Sequence, residues 1–392
     1  MSAATRVLVV SRNLPPLIGG MERLGQRLVA ALAERHAVEV VGPPGAAAHL
    51  AAGVAVYACR SAAAAPYLVE AGLRAPWRAL RSRPALVIAT SGLTAPLARV
   101  AAALAGARCL VCVHGLDLVT EHPVYRALFL PAIRAADCVV ANSRNTARLA
   151  VERGVPAARV RVVHPGTDLA TADDAADGVA FRRRLGLEDA VVLLAVGRYA
   201  ARKGLAEFVE HALPGLVARD PRHVLVVIGD EAGQALRREG TVHGRIEAAI
   251  ARSGMHAHVR LLGGRPDAEL AQAYAGADVH VFPLVPVRGD VEGFGMVAVE
   301  AAAHGLWTVA FDEGGVADAV ADGSCGTLVP SGDYPALIEA IRAATSAASV
   351  ARQAACRQAA QAFAWPRYAA EMLEVVGSTL DAAPGGQDHA GR

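Results

Sequence analysis

Short runs of Val, Leu and Ile alternate along the chain with longer stretches whose apolar positions recur at helical spacing, and this alternation occurs twice. Strands buried on both faces of a parallel sheet read as continuous apolar runs, so the pattern predicts two series of βαβ units with helices over both faces of each sheet. The first series places strands at residues 6–10, 38–41, 54–58, 86–89, 110–113, 139–142 and 160–163, with helices over stretches such as 21–34 and 94–105. The second places strands at 191–196, 224–228, 259–262, 279–282, 308–311 and 327–329. Between the two, the apolar-poor stretch TDLATADDAADG at 167–178 reads as an interdomain linker.

The architecture expected from this pattern is α/β, with two Rossmann-like doubly wound domains at 1–168 and 169–364 and a cleft between them. A last helical stretch from near Trp365 to about Leu380 is expected to cross back to the first domain, ahead of a flexible tail that completes 365–392. In open sheets of this kind ligands sit beyond the carboxyl ends of the strands, so the loops that follow strands are where chemistry is sought.

Composition supports two folded cores. The length of 392 residues exceeds one ordinary core, and 54% hydrophobic against 19% charged residues argues against long disordered regions. A formal net charge of +2 supplies no global reason to expect nucleic acid as a partner. Residues 7–10 are the only apolar run at the start of the chain, and this reads as a first strand rather than a signal peptide or anchor. With no stretch near the ~20 apolar residues that span a bilayer, a cytoplasmic location is expected. Cys109 and Cys112 form a CxxC, but in a buried strand positions three apart point to opposite faces, so reduced core thiols are expected rather than a metal site.

One number changes the chemical picture: Lys203 is the only lysine among 39 basic residues. It lies in VGRYAARKG, just after a predicted strand, five positions from Arg198. A forked guanidinium and a compact ammonium at that spacing suit a diphosphate leaving group, whose negative charge grows as the bond to sugar breaks; a solvated basic turn is the alternative. In VEGFGMVAVEAAAHG, Glu292 precedes a Gly-rich turn that opens a helix and Glu300 is expected about two turns in. The amides of Phe294, Gly295 and Met296 would be donors at the helix start, and Gly293 and Gly295 let the backbone approach a ligand. Glu300 sits among apolar neighbours, where a carboxylate needs a partner such as vicinal ribose hydroxyls. In the first half, Gly19 and Gly20 in LPPLIGGMERLG precede a helix and suit either close approach to phosphate or a tight turn, and His114 in VHGLD follows a strand and suits a sugar hydroxyl or a structural role.

Taken in order, GGMER, HGLD, ANS (141–143), HPGTD (164–168), GRYAARKG and EGFGMVAVE resemble the signature series of glycosyltransferase family 4. That resemblance implies a GT-B fold, a retaining, metal-independent reaction and a nucleotide diphosphate sugar as donor, with no cofactor. It implies that Arg198 and Lys203 bind the diphosphate, Glu300 the ribose, and Glu292 with the amides of 294–296 the donor sugar. His114 would contact the sugar where the acceptor attacks, Gly20 would lie against the phosphates, and Gly229 and Arg265 near the nucleoside. The acceptor would be a glycan, a lipid-linked intermediate or a small molecule, as in polysaccharide, lipopolysaccharide or glycolipid assembly.

Three other readings of these residues stand beside it. Arg74, Trp77, Arg78 and Arg81 in LRAPWRALRSR can form a basic helix face that meets anionic lipid at the inner membrane surface, or a solvated one. An epimerase or a phosphorylase of like architecture is a different enzyme with the same outline, though a pyridoxal phosphate phosphorylase would need Lys203 for its Schiff base. A cytoplasmic sugar-nucleotide sensor would bind donor without releasing nucleoside diphosphate. The absence of GxGxxG after the first strand weighs against a dinucleotide oxidoreductase.

Overall fold

The computed structural model describes residues 5–170, 174–231, 242–346 and 350–382. They divide into two compact units, one made of the chain up to His164 together with the segment from Trp365, the other of Pro165–Ala364.

The first unit is built on a seven-stranded sheet, all of whose pairings are parallel. Its strands are β1 (Arg6–Val10), β2 (Ala37–Gly42), β3 (Ala55–Ala58), β4 (Leu86–Ala89), β5 (Arg108–Val113), β6 (Cys138–Ala141) and β7 (Val160–Val162), in the spatial order β3-β2-β1-β4-β5-β6-β7. The order reverses between β1 and β4, the point where such sheets open a crevice for ligands. Leu8, Val10, Val87, Val111 and Val139 meet the buried faces of the helices Ala64–Ser82 and Ala95–Ala105 in one core. The helix Trp365–Asp381 belongs to this unit: Trp365 is buried and takes the Arg27 guanidinium over its ring at 5.1 Å.

The second unit repeats the plan with six parallel strands in the order β10-β9-β8-β11-β12-β13. They are β8 (Val191–Val196), β9 (His223–Ile228), β10 (Val259–Leu261), β11 (Val279–Phe282), β12 (Thr308–Phe311) and β13 (Gly326–Val329). Apolar clusters cover both faces of the sheet, one gathering Leu193, Leu225 and Phe311, the other Val192, Leu194 and Val226. Alternate residues of single strands therefore serve opposite cores, as a doubly covered sheet requires.

The stretch 167–178, expected as a linker, is partly helical. Asp174–Leu185 is a helix, and small residues make it so: a side chain at Gly178 would lie 2.6 Å from the Ala275 carbonyl carbon, so only glycine admits this contact with the helix Asp267–Gly276. Arg182 then bonds Asp278 at 2.6 Å and closes the join. The residues 383–392 of the expected flexible tail fall outside the described residues. All six cysteines are buried thiols; burial pushes Cys109 and Cys112 up to about 12.

Candidate functional site

In the second unit the motif residues gather where β8, β9 and β11 end. After β8 the chain passes through Gly197 and Arg198 into a short 3-10 turn, Ala201–Lys203, closed by Gly204. Gly204 has φ +64, and a Cβ there would stand 1.9 Å from the Pro283 carbonyl oxygen. This near contact seats the turn against the chain leaving β11, and the Val285 amide donates to the Arg202 carbonyl at 2.9 Å.

The seating brings Lys203 to Glu292. Its ammonium lies 2.9 Å from Glu292 Oε2 and 4.4 Å from the centre of the Phe282 ring. Arg202 reaches the same carboxylate oxygen at 3.0 Å and Asp290 at 3.1 Å. Burial alone would raise the Glu292 carboxyl, but the charges of Lys203 and Arg202 outweigh it and hold the group down at about 2. For Lys203 burial wins, and its pKa is lowered despite Glu292. Arg198 lies exposed in the same loop, its charge adding to that lowering.

Glu292 is held at its backbone too. Its carbonyl accepts the Gly315 amide at 2.8 Å, and a side chain at Gly314 would come within 2.6 Å of that oxygen. Gly293, Phe294 and Gly295 follow as a turn, Gly295 with φ +95, and the helix Met296–Ala303 starts there. Phe294 is buried against Phe363, with ring centres 5.7 Å apart. Because the helix begins at Met296, Glu300 stands a little over one turn in, not two. Its partner is a residue that the motif did not include: Tyr274 donates its hydroxyl to Glu300 Oε2 at 3.0 Å and stacks on His304 at 5.1 Å.

Gly229 follows β9 with φ +154, and a Cβ there would meet the Gly197 carbonyl oxygen at 1.9 Å, so the β8 and β9 loops touch only because it is glycine. The Gly229 amide donates to Gly263 at 3.0 Å, which sets the loop carrying Arg265 beside it. Arg265 is partly exposed and faces Glu269 at 3.7 Å.

The first unit holds the remaining residues. Gly19 and Gly20 open the helix Gly20–Ala33, where Glu22 accepts from Asn13 Nδ2 at 2.7 Å. His114 follows β5 and is half-buried. Its Nε2 lies 2.8 Å from the Thr90 carbonyl, which can only accept, so Nε2 donates, in the tautomer that leaves Nδ1 as an acceptor. The His114 amide donates to Asp117 at 2.9 Å, and Tyr125 donates to the other Asp117 oxygen at 3.3 Å. Just past β4 and β6, the strands flanking β5, Ser91 Oγ and Asn142 Oδ1 are buried oxygens with no hydrogen-bond partner among the described residues. Of the predicted basic face, Arg74 is bonded to Glu70 at 2.7 Å, while Arg78 is bonded to Glu39 at 3.0 Å and stacked 3.9 Å over Tyr57. Among the residues that helix presents to solvent are Val69, Leu73, Trp77, Leu80 and Arg81.

Against this geometry, residues 18–171 match the family model described as "Glycosyltransferase Family 4" and residues 180–363 the model "Glycosyl transferases group 1". A GDP-mannose-dependent alpha-(1-6)-phosphatidylinositol monomannoside mannosyltransferase of Mycolicibacterium smegmatis is 30% identical over 352 residues, covering 86% of this chain and 88% of the relative. The chain belongs to the family 4 glycosyltransferases. A D-inositol 3-phosphate glycosyltransferase of Nocardia farcinica is 35% identical over 254 residues, 63% of this glycosyltransferase chain, which spans 54% of that relative's length. Among solved structures, sucrose-phosphate synthase from Thermosynechococcus elongatus superposes with a TM-score of 0.78 at 23% identity, covering 97% of this chain and all of that one. The Anabaena protein HepE in complex with UDP gives 0.75 at 20% identity, over 95% and 100%. Both likenesses establish the GT-B fold.

Sequence reasoning missed Arg202, Asp290 and Tyr274. Arg202 hides among arginines, since nearly every basic residue is one. Asp290 stood two positions before Glu292 and had only that proximity to mark it. Tyr274 comes from a helix distant in sequence, and no local pattern joins it to Glu300.

Proposed function

We propose that the protein transfers a hexosyl-type sugar from a nucleotide diphosphate donor to an acceptor hydroxyl, with retention of configuration and without a metal ion. The observation that carries this reading is the buried Lys203, held at 2.9 Å from Glu292 just ahead of the turn that opens the Met296–Ala303 helix. A lysine in a low-dielectric site is a strong electrostatic partner for a departing diphosphate. Arg198, exposed in the same loop, adds a guanidinium to the same task. Glu292 and the amides of Phe294, Gly295 and Met296 hold the donor sugar, Gly293 lets that turn approach it, and Glu300 receives the ribose hydroxyls. Gly229 and Arg265 face the nucleoside. In a same-face attack the leaving phosphate oxygen takes the acceptor proton, while positive charge from Arg198 and Lys203 offsets the negative charge formed there.

On the acceptor side, His114 offers Nδ1 to a sugar hydroxyl, and Gly19 and Gly20 keep the backbone bare near phosphate. Ser91 and Asn142, with buried oxygens in need of donors, suit the hydroxyls of a polyol acceptor. Relatives named for inositol phosphate and phosphatidylinositol mannoside support an acceptor of that kind, free or lipid-linked. No helix among the described residues is long and apolar enough to cross a membrane; Leu73, Trp77 and Leu80, with Arg81, supply a peripheral contact at the inner face instead. Flotation with anionic vesicles at low salt tests this, and a protein that stays with the soluble fraction refutes it.

The decisive experiment incubates the protein with a set of nucleotide sugars and polyol acceptors, follows release of nucleoside diphosphate, and reads the product's anomeric configuration by NMR. Lys203→Ala and Glu300→Ala should stay folded and bind donor about 10 to 100 times more weakly, the span of one buried charge-assisted hydrogen bond. Saturable donor binding with no nucleoside diphosphate formed would leave a sensor, and inversion in the product would refute the retaining assignment.

A further inference from the structure

The ion pairs around Glu292 form a closed set. Arg202 and Lys203 face Asp290 and Glu292 through contacts of 2.9, 3.0 and 3.1 Å, and the four side chains are 18%, 10%, 6% and 12% exposed respectively. Two positive and two negative charges balance. Buried charges are tolerated only when compensated, so each member constrains the others. A donor adds two more negative charges beside Lys203, and the ammonium cannot serve a diphosphate fully while it is the sole counterion of a buried carboxylate. Arg202 removes that conflict, because its fork spans both carboxylates and its backbone is tied to Val285.

We propose that Arg202 is a positioning residue for sugar transfer: by holding Glu292 and Asp290 together it keeps the Glu292 carboxylate in place and leaves the Lys203 ammonium available to the donor diphosphate. The inference rests on the transferase reading above. Other charged or titratable groups that act on the set are Arg198, whose charge disfavours the Lys203 ammonium, and the buried His280, on which Lys203 acts in turn.

The test is titration calorimetry of wild type and variants with UDP-glucose and with GDP-mannose, whose diphosphate diesters keep their charge from pH 8 to pH 5. Arg202→Gln turns the balanced set into one with a net negative charge, and at pH 7.5 sugar-nucleotide affinity should fall about tenfold. Acid should restore it, since Glu292 without Arg202 takes up a proton well above its present value, whereas wild type should show no such recovery. Arg202→Lys should keep most of the affinity. Arg202→Gln combined with Asp290→Asn restores the charge balance but leaves Lys203 as the sole counterion of Glu292, so binding at pH 7.5 should recover only in part. Affinity unaltered in Arg202→Gln, or a loss that neither acid nor Asp290→Asn relieves, overturns the proposal. Should Arg202→Gln fail to fold, Asp290→Asn alone decides: it leaves a net positive set and should bind about threefold tighter, and weaker binding overturns the proposal. Wild type that binds neither sugar nucleotide refutes the transferase reading itself, while wild-type binding with an indifferent Arg202→Gln refutes only the role of Arg202.

Discussion

Replacing Gly204 by alanine tests the close backbone approach that, with the Val285–Arg202 hydrogen bond, seats the cationic turn. Two costs are expected. Gly204 has φ +64, a conformation that costs an L-residue roughly 1–2 kcal/mol. A Cβ would also stand 1.9 Å from Pro283 O and 3.1 Å from Val285 Cγ1, so the turn must lift from the chain leaving β11, an overpacking cost of about 1–3 kcal/mol. Gly254 supplies the control within the same unit: its φ is +69, yet a Cβ there meets no heavy atom within 4 Å. Gly254→Ala should therefore lose only the conformational part, and Gly204→Ala the sum of roughly 2–5 kcal/mol. Urea unfolding followed by tryptophan emission measures both, with Trp307 buried in the core of this unit. Donor titration adds a second readout: Gly254→Ala should bind as wild type does, whereas Gly204→Ala moves Lys203 away from Glu292 and should lose about tenfold or more. Equal destabilisation by the two substitutions, or wild-type donor affinity in Gly204→Ala, would refute the claim that this close approach places the lysine.

Other outcomes follow from neighbouring residues. His280 is fully buried beside Thr308, and burial, with the Lys203 charge, lowers its pKa to about 3. The unfolded chain takes that proton near pH 6.5 while the folded one does not, so stability is complete well above pH 6.5 and falls as pH drops through 6.5 toward 3, by about 1.6 kcal/mol between 6.5 and 5. His280→Asn should flatten the urea midpoint against pH over that range; parallel curves for wild type and variant would rule the cause out. Tyr274→Phe removes the hydroxyl that holds Glu300 and should cost about 1 kcal/mol of stability. Its donor affinity should fall about three- to tenfold for a ribonucleotide sugar and by less for the 2′-deoxy analogue, which keeps only the 3′-hydroxyl, and competition binding that shows equal losses for both would separate Tyr274 from the ribose site.

The strands were legible because they are buried on both faces. Runs such as VVLLAV at 191–196 contain no polar residue to interrupt them, and each run in the two series corresponds to a parallel strand. Local signals also marked Lys203, Glu292 and the glycine turn, since a lone lysine and a Gly-x-Gly before a helix are visible without tertiary information. Helix packing was less legible: the polar stretch 167–178 read as a linker, yet Gly178 and Gly276 let part of it pack as a helix. The basic helix face is the clearest instance, for composition cannot tell that Glu39, from another strand, takes up Arg78. Periodicity and residue type, which depend on neighbours along the chain, determined the fold class and marked the loops proposed to carry chemistry. Tertiary structure alone decided that Arg202 and Lys203 share one carboxylate with a balancing Asp290, and that Tyr274 holds Glu300. Such partners meet only after strands far apart in sequence are laid side by side, and the energy of a buried charge depends on what folding brings next to it.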